Sequence, residues 1–220
     1  MKKIWLLLLA LPCAAMAQER EWMPYKDLIE ATKLDQFYAL PPAERDKIHP
    51  YIVITPNNKA IKPSDITLTV LGTAGKQPLP AITADGRLDI SPNPAWMAEN
   101  AKIWTTIPKG EKSKIGFGID AVMPEGTQWQ YATLMGSVAQ VNRVIGTLGG
   151  ALSMFVPKVK SVVLKFKQPT QLTIAGKGGE RRYTSDAKGQ IRLKPDDALL
   201  QENPAIRLSA RPFEAELDTE

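Results

Sequence analysis

Cysteine and histidine are almost missing from this sequence. The one cysteine, Cys13, lies in an N-terminal segment that we expect to be removed, and the one histidine is His49. A mature chain without cysteine forms no disulfide, thiol nucleophile or cysteine-based metal site. A lone histidine cannot build a histidine cluster for a metal ion, although it can act as a general base. The sequence therefore predicts no metal site and no cofactor.

The familiar catalytic motifs are also missing. Ser185 and Lys188 have the S-x-x-K spacing of penicillin-recognising enzymes, but no S-D-N or K-T-G follows. The stretch 176–179 lacks the spacing of a phosphate-binding loop, and Asp85 and Asp89 do not form a calcium loop. These stretches are better explained as turns. The lack of these catalytic motifs favours a non-enzymatic protein, although it leaves the question of catalysis open.

An apolar run near the start of the chain is too short to cross a membrane. Two lysines precede the apolar residues 4–11, and Ala15-Met16-Ala17 supplies the small residues that signal peptidase requires. A membrane-spanning helix needs about 20 apolar residues, roughly twice this run. We therefore expect residues 1–17 to be a cleavable signal peptide. Lipidation at Cys13 is an alternative, which Pro12 disfavours because a small, flexible residue normally precedes a lipidated cysteine.

Basic and acidic side chains are unevenly distributed along the mature chain. Residues 18–157 carry equal numbers of both, residues 158–211 carry a net charge of +7, and residues 212–220 carry −4. A basic module can attract an anionic partner such as lipid head groups or an acidic glycan. The alternative is that these lysines form solvated faces and protected strand edges. The predicted anion-contact residues are Lys158, Lys160, Lys165, Lys167, Arg181 and Arg182.

Two segments share one order of features. Residues 68–104 and 172–207 each contain a Leu-Thr-apolar strand, two glycines three apart, a glycine turn into an alternating strand, a proline, and a short segment ending in Glu-Asn. Each reads as a hairpin, a strand, a one-turn helix and a return strand. The shared order favours an internal duplication over chance similarity. Because so short a unit has too small a core alone, we expect the copies to pack on each other or on something between them.

Two helices are predicted outside these copies. In residues 126–157 Arg143 is the only charged residue, and apolar residues recur every three or four positions. This spacing indicates a long, mostly buried helix at about 128–148, with Thr127 as its N-cap. A membrane span is disfavoured by the glutamines and the arginine within it. The same spacing predicts an amphipathic helix over Pro24–Tyr38.

Several of these motifs also resemble a family of exported proteobacterial proteins that is collected as a domain of unknown function. The likeness rests on the stretches 61–66, 85–90, 189–193 and 202–204, and on the helix before Pro157. It spans most of residues 50–215. The resemblance implies a protein of the cell envelope, and it brings no catalytic or binding residues with it.

The sequence as a whole predicts a strand-dominated α+β fold. Two related small antiparallel β units are joined by a long central helix, with an N-terminal helix at one side. The expected segments are a signal peptide at 1–17, the N-terminal helix and first β repeat at 18–125, the central helix at 126–157, and the second β repeat with an acidic tail at 158–220.

These features favour a non-enzymatic periplasmic binding or accessory protein of the cell envelope, released by cleavage near Ala17-Gln18. The expected partner is an anionic envelope component or another periplasmic protein. Nucleic acid is not expected, because no nucleic-acid motif is present, and neither is a membrane span in the mature chain. The alternatives are a hydrolase of envelope polymers with paired carboxylates such as Asp85, Asp89 or Asp120, and a purely structural subunit.

Overall fold

A computed structural model describes residues 19–149 and 156–220. The expected signal peptide with Cys13, and residues 150–155 of the predicted central region, lie outside the described residues. Within the described residues the protein has an α+β fold that is rich in strands, with three antiparallel sheets and five α-helices. The predicted fold class is therefore confirmed.

Strands and helices have the following bounds in the described chain. The strands are β1 Arg20–Pro24, β2 Ile48–Pro56, β3 Leu68–Gly72, β4 Gly75–Pro78, β5 Arg87–Leu88, β6 Lys102–Thr105, β7 Ser113–Ala121, β8 Gln128–Gln130, β9 Ser161–Lys165, β10 Gln171–Gly176, β11 Gly179–Thr184, β12 Gln190–Leu193, β13 Ala205–Leu208 and β14 Glu214–Asp218. The α-helices are α1 Tyr25–Ala31, α2 Leu34–Ala39, α3 Pro94–Ala98, α4 Tyr131–Gly149 and α5 Asp197–Glu202.

Six strands form a central sheet in the order β12-β9-β14-β7-β2-β5. The first small sheet has the order β1-β6-β3-β4, and the second small sheet has the order β11-β10-β13-β8. In the middle of the central sheet, β7 pairs with β14 through the register pair Asp120 and Glu216. We call this pairing the seam, because it joins strands from residues 20–121 to strands from residues 128–218.

Side-chain alternation gives the central sheet one apolar face and one polar face. In β2, Ile52 and Ile54 are fully buried, while His49 and Tyr51 point to the opposite side. Residues paired directly across antiparallel strands share a face, so Asp120 lies on the same side as His49. We call the apolar side of this sheet the inner face and the polar side the outer face.

Two hydrophobic cores form against the inner face. One brings Leu28 of α1 together with Ile52 of the central sheet and Val70 of the first small sheet. The other brings Leu134 of α4 together with Leu164 of the central sheet and with residues of the second small sheet. Each core therefore joins helix residues to residues of a small sheet and of the central sheet, and each fully buried aliphatic side chain contributes about 1.5–3 kcal/mol.

Residues 20–121 and 128–218 contain their elements in the same order. Each half runs from a strand to helix, then through a strand, a hairpin, a short strand, a short helix and two further strands. The shared order covers more of the chain than the two segments 68–104 and 172–207 in which sequence similarity is visible. In this order α4 of the second half corresponds to α1 and α2 of the first half. The helix that was predicted to join the two units therefore lies inside the second half, after β8.

The two halves also share a set of hydrogen bonds around a buried tyrosine. The hydroxyl of Tyr25 accepts a hydrogen bond at 3.1 Å from the backbone N–H of Asn93, which is the N-cap of α3. The hydroxyl of Tyr131 accepts one at 3.1 Å from the backbone N–H of Asp196, which is the N-cap of α5. In each half the first residue of the first helix thus fixes the start of the short helix.

Two predicted helix boundaries were wrong. The central helix begins at Tyr131 rather than at 128, because residues 128–130 form β8 and pair with β13. Thr127 is therefore not its N-cap. The helix predicted over Pro24–Tyr38 is divided into α1 and α2, since Lys33 has a left-handed φ of 54° that interrupts the helix. Periodicity alone does not separate a three-residue strand or a one-residue break from the helix beside it.

Candidate functional site

The six basic residues predicted to contact an anion do not share one surface. Lys158 and Lys160 precede β9 and Lys167 follows it, and all three are exposed. The rise per residue in a strand places Lys160 and Lys167 roughly 20 Å apart. Arg181 and Arg182 are neighbours on β11, so they point to opposite faces of the second small sheet. The predicted basic surface is thus divided among several places.

Lys165 is paired with carboxylates of the acidic tail. Its Nζ atom lies 3.2 Å from Glu214 and 2.7 Å from Glu216. Partial burial acts to lower the pKa of Lys165, but hydrogen bonds to Glu216 and Glu214 raise it overall. The acidic tail forms β14 beside the basic strand β9, so the two segments of opposite charge partly neutralise each other. Lys165 is therefore poorly placed to bind a further anion.

Arg87 is the centre of a charge cluster on the outer face. Its guanidinium contacts Asp120 of β7 and lies 2.6 Å from Glu214 of β14, so one side chain bridges the seam. It also lies 2.8 Å from Asp85 and stacks 4.1 Å from the ring centre of Tyr51. Burial raises the pKa of Asp120, which is only 9% exposed, and the hydrogen bond from Arg87 offsets part of that effect.

A cleft of about 350 Å³ opens beside this cluster and contains the one histidine. Its lining includes His49, Asp89, Asp120 and Glu214. The Nε2 atom of His49 lies 3.0 Å from an oxygen of Asp89, and both side chains are more than half exposed. The cleft brings together two of the three carboxylates suggested for a hydrolase, whereas Asp85 pairs with Arg87. Asp120 and Glu214 both contact that same guanidinium.

A second polar surface lies on the exposed face of the second small sheet. Thr173 of β10 is paired with Arg182 of β11 on one side and with Arg207 of β13 on the other, and Arg207 is paired with Gln128 of β8. Directly paired residues share a face, so these four side chains form one line across the sheet. We call them the arginine row. The two arginine backbones are two strand spacings apart, roughly 10 Å.

The arginine row is open to solvent and only lightly neutralised. Arg182 is 80% exposed and contacts Glu180 on its own strand. Arg207 is exposed and has no ion pair within the described part of the chain. An exposed ion pair such as that of Arg182 is worth about 0–1 kcal/mol, so it can readily be exchanged for another anion.

Sequence reasoning found Arg182 but missed Arg207. The alternation around Arg207 was visible, because Ile206 and Leu208 are buried on either side of it. The alternation gives no information about the order of the strands in the sheet. In the structure β13, rather than β12, lies beside β10. The first small sheet differs at the matching place, where Trp104 is the partner of Thr69 and carries Lys76 at 5.3 Å from its ring centre.

The sequence and the structure were compared with those of known proteins. No family model, no curated protein and no solved structure is significantly similar to the chain. The resemblance to an exported family therefore stays a prediction. Across residues 19–149 and 156–220, no helix combines the length and apolar character that crossing a membrane requires. In the same residues no three acidic or histidine side chains are grouped so as to hold a metal ion.

Proposed function

We propose that this chain is an exported, non-enzymatic binding protein of the cell envelope whose ligand is an anionic glycan. The arginine row is the observation that carries the proposal. It retains Arg182, which is exposed beside Glu180, and adds Arg207, while Lys165 and Arg181 are paired with carboxylates of other strands or helices. Export to the periplasm rests on the pattern of residues 1–17, with cleavage near Ala17-Gln18.

An extended polymer fits this surface better than a small ion does. Guanidinium groups bind carboxylate and phosphate in a two-pronged geometry, and two of them roughly 10 Å apart match separate charges along a chain. Between and beside them, Thr173 and Gln128 supply hydroxyl and amide groups of the kind that pair with sugar hydroxyls. The remaining outward positions of these strands hold small or polar side chains and one acidic side chain, Glu180, which gives a membrane surface little to bury. They are Gln130, Gln171, Ala175, Glu180, Thr184 and Ala205.

We further infer that the two halves are copies of one ancestral unit. The common element order and the two matching tyrosine–cap hydrogen bonds support this interpretation. The copies then differ at the surface, because the first has Trp104 where the second has Arg207. The duplication would leave one copy free to acquire the arginine row while the other kept an uncharged residue there.

The geometry gives the hydrolase alternative less support. Two carboxylates on either side of the seam do line one cleft, as such an enzyme requires. However, ion pairs with Arg87 engage the carboxylates of both Asp120 and Glu214, and such a reaction needs carboxyl oxygens that can reach the substrate. The His49–Asp89 pair is exposed, and the described part of the chain places no serine, threonine or lysine beside it in that cleft.

The first prediction concerns binding through the arginine row. The purified chain from residue 18 should co-sediment with peptidoglycan sacculi carrying anionic polymer at about 50 mM salt and dissociate at about 500 mM, since exposed charges are screened. The double change Arg182→Glu and Arg207→Glu should weaken binding by roughly tenfold or more. Both side chains are exposed, so the fold should tolerate the change.

The control is the double change Lys59→Glu and Lys62→Glu, which alters the net charge equally at exposed sites in the first half. It should leave binding close to that of the unaltered chain. Equal losses from the two double variants would contradict the proposal, because attraction would then depend on net charge alone. Binding to anionic phospholipid vesicles but not to sacculi would also contradict it.

A further inference from the structure

We propose that the inner face of the seam binds a single acyl chain that ends in an acidic head group. An apolar groove with a volume of about 390 Å³ lies there. The volume falls in the lower part of the roughly 300–1,000 Å³ that small-molecule sites occupy, which suits one chain rather than a lipid with several. This site is separate from the arginine row and does not depend on the glycan proposal.

Both halves of the protein build the groove. One wall is the turn between α1 and α2, at residues 31–33, and the other wall is α4, with Val141, Ile145 and Leu148 among its residues. The floor comes from the two strands of the seam, with Phe117 and Ile119 of β7 beside Leu217 of β14. The groove therefore exists only because the halves are joined at the seam, between the helix of one and the helix of the other.

The groove is more open than an ordinary packing defect. Protein interiors contain few voids larger than a water molecule, and apolar side chains are normally covered. Here Phe117 is 37% exposed although it points to the inner face, and Val156 at the end of the groove is 44% exposed. Ile145 and Leu148 are only partly buried. Burying these side chains against an acyl chain would release a favourable free energy that the free protein does not obtain.

The charge at the rim defines the head group. Lys33 is the only charged residue among the described residues that line the groove, and no acidic residue accompanies it. Its Nζ atom donates to the carbonyl oxygen of Leu148 at 2.5 Å, which holds the ammonium at the mouth. An anionic head group would be attracted there, and a cationic one repelled. Lys33 also has a left-handed φ of 54°. This conformation is energetically unfavourable for any residue other than glycine.

Calorimetry with three amphiphiles of equal chain length tests this proposal. Dodecanoate, dodecyl maltoside and dodecyltrimethylammonium, each below its micelle concentration, should bind the delipidated chain in decreasing order of affinity. Ile145→Trp should lower the affinity for dodecanoate by roughly tenfold or more, because the indole displaces at least two methylenes of the ligand. Leu71→Trp, an equal change at an exposed residue of the first small sheet, should have no effect.

Lys33→Asn tests the head group without altering the backbone, because asparagine tolerates a left-handed conformation. It should lower dodecanoate affinity roughly twofold to fivefold and abolish the preference over the maltoside. If Ile145→Trp unfolds the chain, Phe117→Ser provides a second test at a partly exposed position. Failure of all three amphiphiles to bind, binding that Ile145→Trp and Phe117→Ser leave intact, or an anion preference that survives Lys33→Asn would each overturn the proposal.

The arginine-row variants separate this proposal from the glycan one. Arg182→Glu with Arg207→Glu should bind dodecanoate with unchanged affinity, since the row lies on the second small sheet and not on the groove. Loss of acyl binding in that double variant would overturn the assignment of the groove. Loss of sacculus binding alone leaves the acyl site supported.

Discussion

Single residues set the tight turns of both halves. Gly86 and Gly189 have positive φ values of 90° and 71°. The carbonyl oxygen of Gly86 accepts a hydrogen bond at 2.8 Å from Ile54 of β2, and that of Gly189 accepts one at 2.8 Å from Phe166, which follows β9. A Cβ atom at Gly86 would lie 2.6 Å from the carbonyl oxygen of Ile54, and one at Gly189 would lie 2.5 Å from that of Phe166. The glycine turns predicted at Asp85-Gly86 and Lys188-Gly189 are therefore confirmed, and their reason is close backbone approach as well as φ.

A prediction at this scale follows for Gly189. Gly189→Ala should lower the free energy of unfolding by about 1–2 kcal/mol or more, because alanine adds left-handed strain to a contact with backbone that cannot move cheaply. Urea denaturation followed by circular dichroism measures the change. Gly178→Ala is the matched control, since its Cβ atom would meet nothing within 4 Å and its φ is not positive. A Gly189→Ala protein as stable as the Gly178→Ala protein would refute this explanation.

At the scale of elements, short helices are fixed by side-chain caps. Asn93 accepts hydrogen bonds from the N–H groups of Ala95 and Trp96 at 3.0 and 3.3 Å, and Asp196 accepts one from Leu199 at 3.0 Å. Helices of five and six residues have little stability of their own, so the caps matter more than in a long helix. Asp196, and not its neighbour Asp197, is the N-cap of α5.

The two caps should respond differently to pH. Asn93→Ala should cost about 1 kcal/mol at every pH, because asparagine does not titrate. A hydrogen bond from the Leu199 N–H and one from Arg181 lower the pKa of Asp196 below its ordinary value. A lowered folded-state pKa means that this contribution is present above pH about 4 and is lost as the pH falls through the folded value.

Thermal unfolding between pH 7 and pH 2 measures this difference. Asp196→Asn keeps a capping oxygen and removes the charge, so its loss of stability in acid should be smaller than that of the unaltered chain. Asp197→Asn, at the neighbouring exposed position, serves as control and should follow the unaltered chain. An identical acid profile for Asp196→Asn and the unaltered chain would rule out a contribution from this carboxylate.

At the scale of the whole molecule, the seam joins residues 20–121 to residues 128–218, and the core around α4 also includes Phe37, Ile48 and Ala121 from the first of these. The pairing of β7 with β14 is short, and Arg87 adds a bridge across it by contacting Asp120 on one side and Glu214 on the other. The guanidinium carbon of Arg87 also stacks on the ring of Tyr51, at 4.1 Å from the ring centre. Arg87 therefore compensates two carboxylates that the seam brings together, one of which is nearly buried.

Removing this arginine should weaken the whole protein. Arg87→Met should lower the free energy of unfolding at pH 7 by about 2–4 kcal/mol, because a nearly buried Asp120 loses its partner. Burial raises the pKa of Asp120 above its ordinary value, and without Arg87 that effect grows. Since a group with a raised folded-state pKa regains stability when it is protonated, the deficit should shrink as the pH falls from 7 towards 4.

Chemical denaturation of Arg87→Met at pH 7 and pH 4.5 checks both parts. Arg182→Met is the control, because that arginine is 80% exposed and forms an exposed ion pair with Glu180, so the change should alter stability by less than about 0.5 kcal/mol. A deficit that stays constant with pH would show that Asp120 is not the group left uncompensated. Equal deficits for the two variants would show that the bridge across the seam contributes nothing particular.

Local chemistry made several features of this molecule predictable from the sequence. Glycine turns, the alternation in β12 and the apolar spacing in α4 depend on residues that are neighbours in the chain. The fold class followed from the same patterns. The limits of the helices were less predictable, because a short strand at Gln128–Gln130 and the left-handed Lys33 are imposed by pairing and packing elsewhere.

By itself the sequence determined the fold class, the glycine turns and the sign of the charge on each segment, since these properties belong to single residues and their neighbours. Only the tertiary structure decided which charges meet. Strand order placed the acidic tail beside Lys165, set Arg87 across the seam and aligned Arg182 with Arg207. Those pairs lie between 25 and 127 positions apart in the chain, and no local pattern records a contact over that distance.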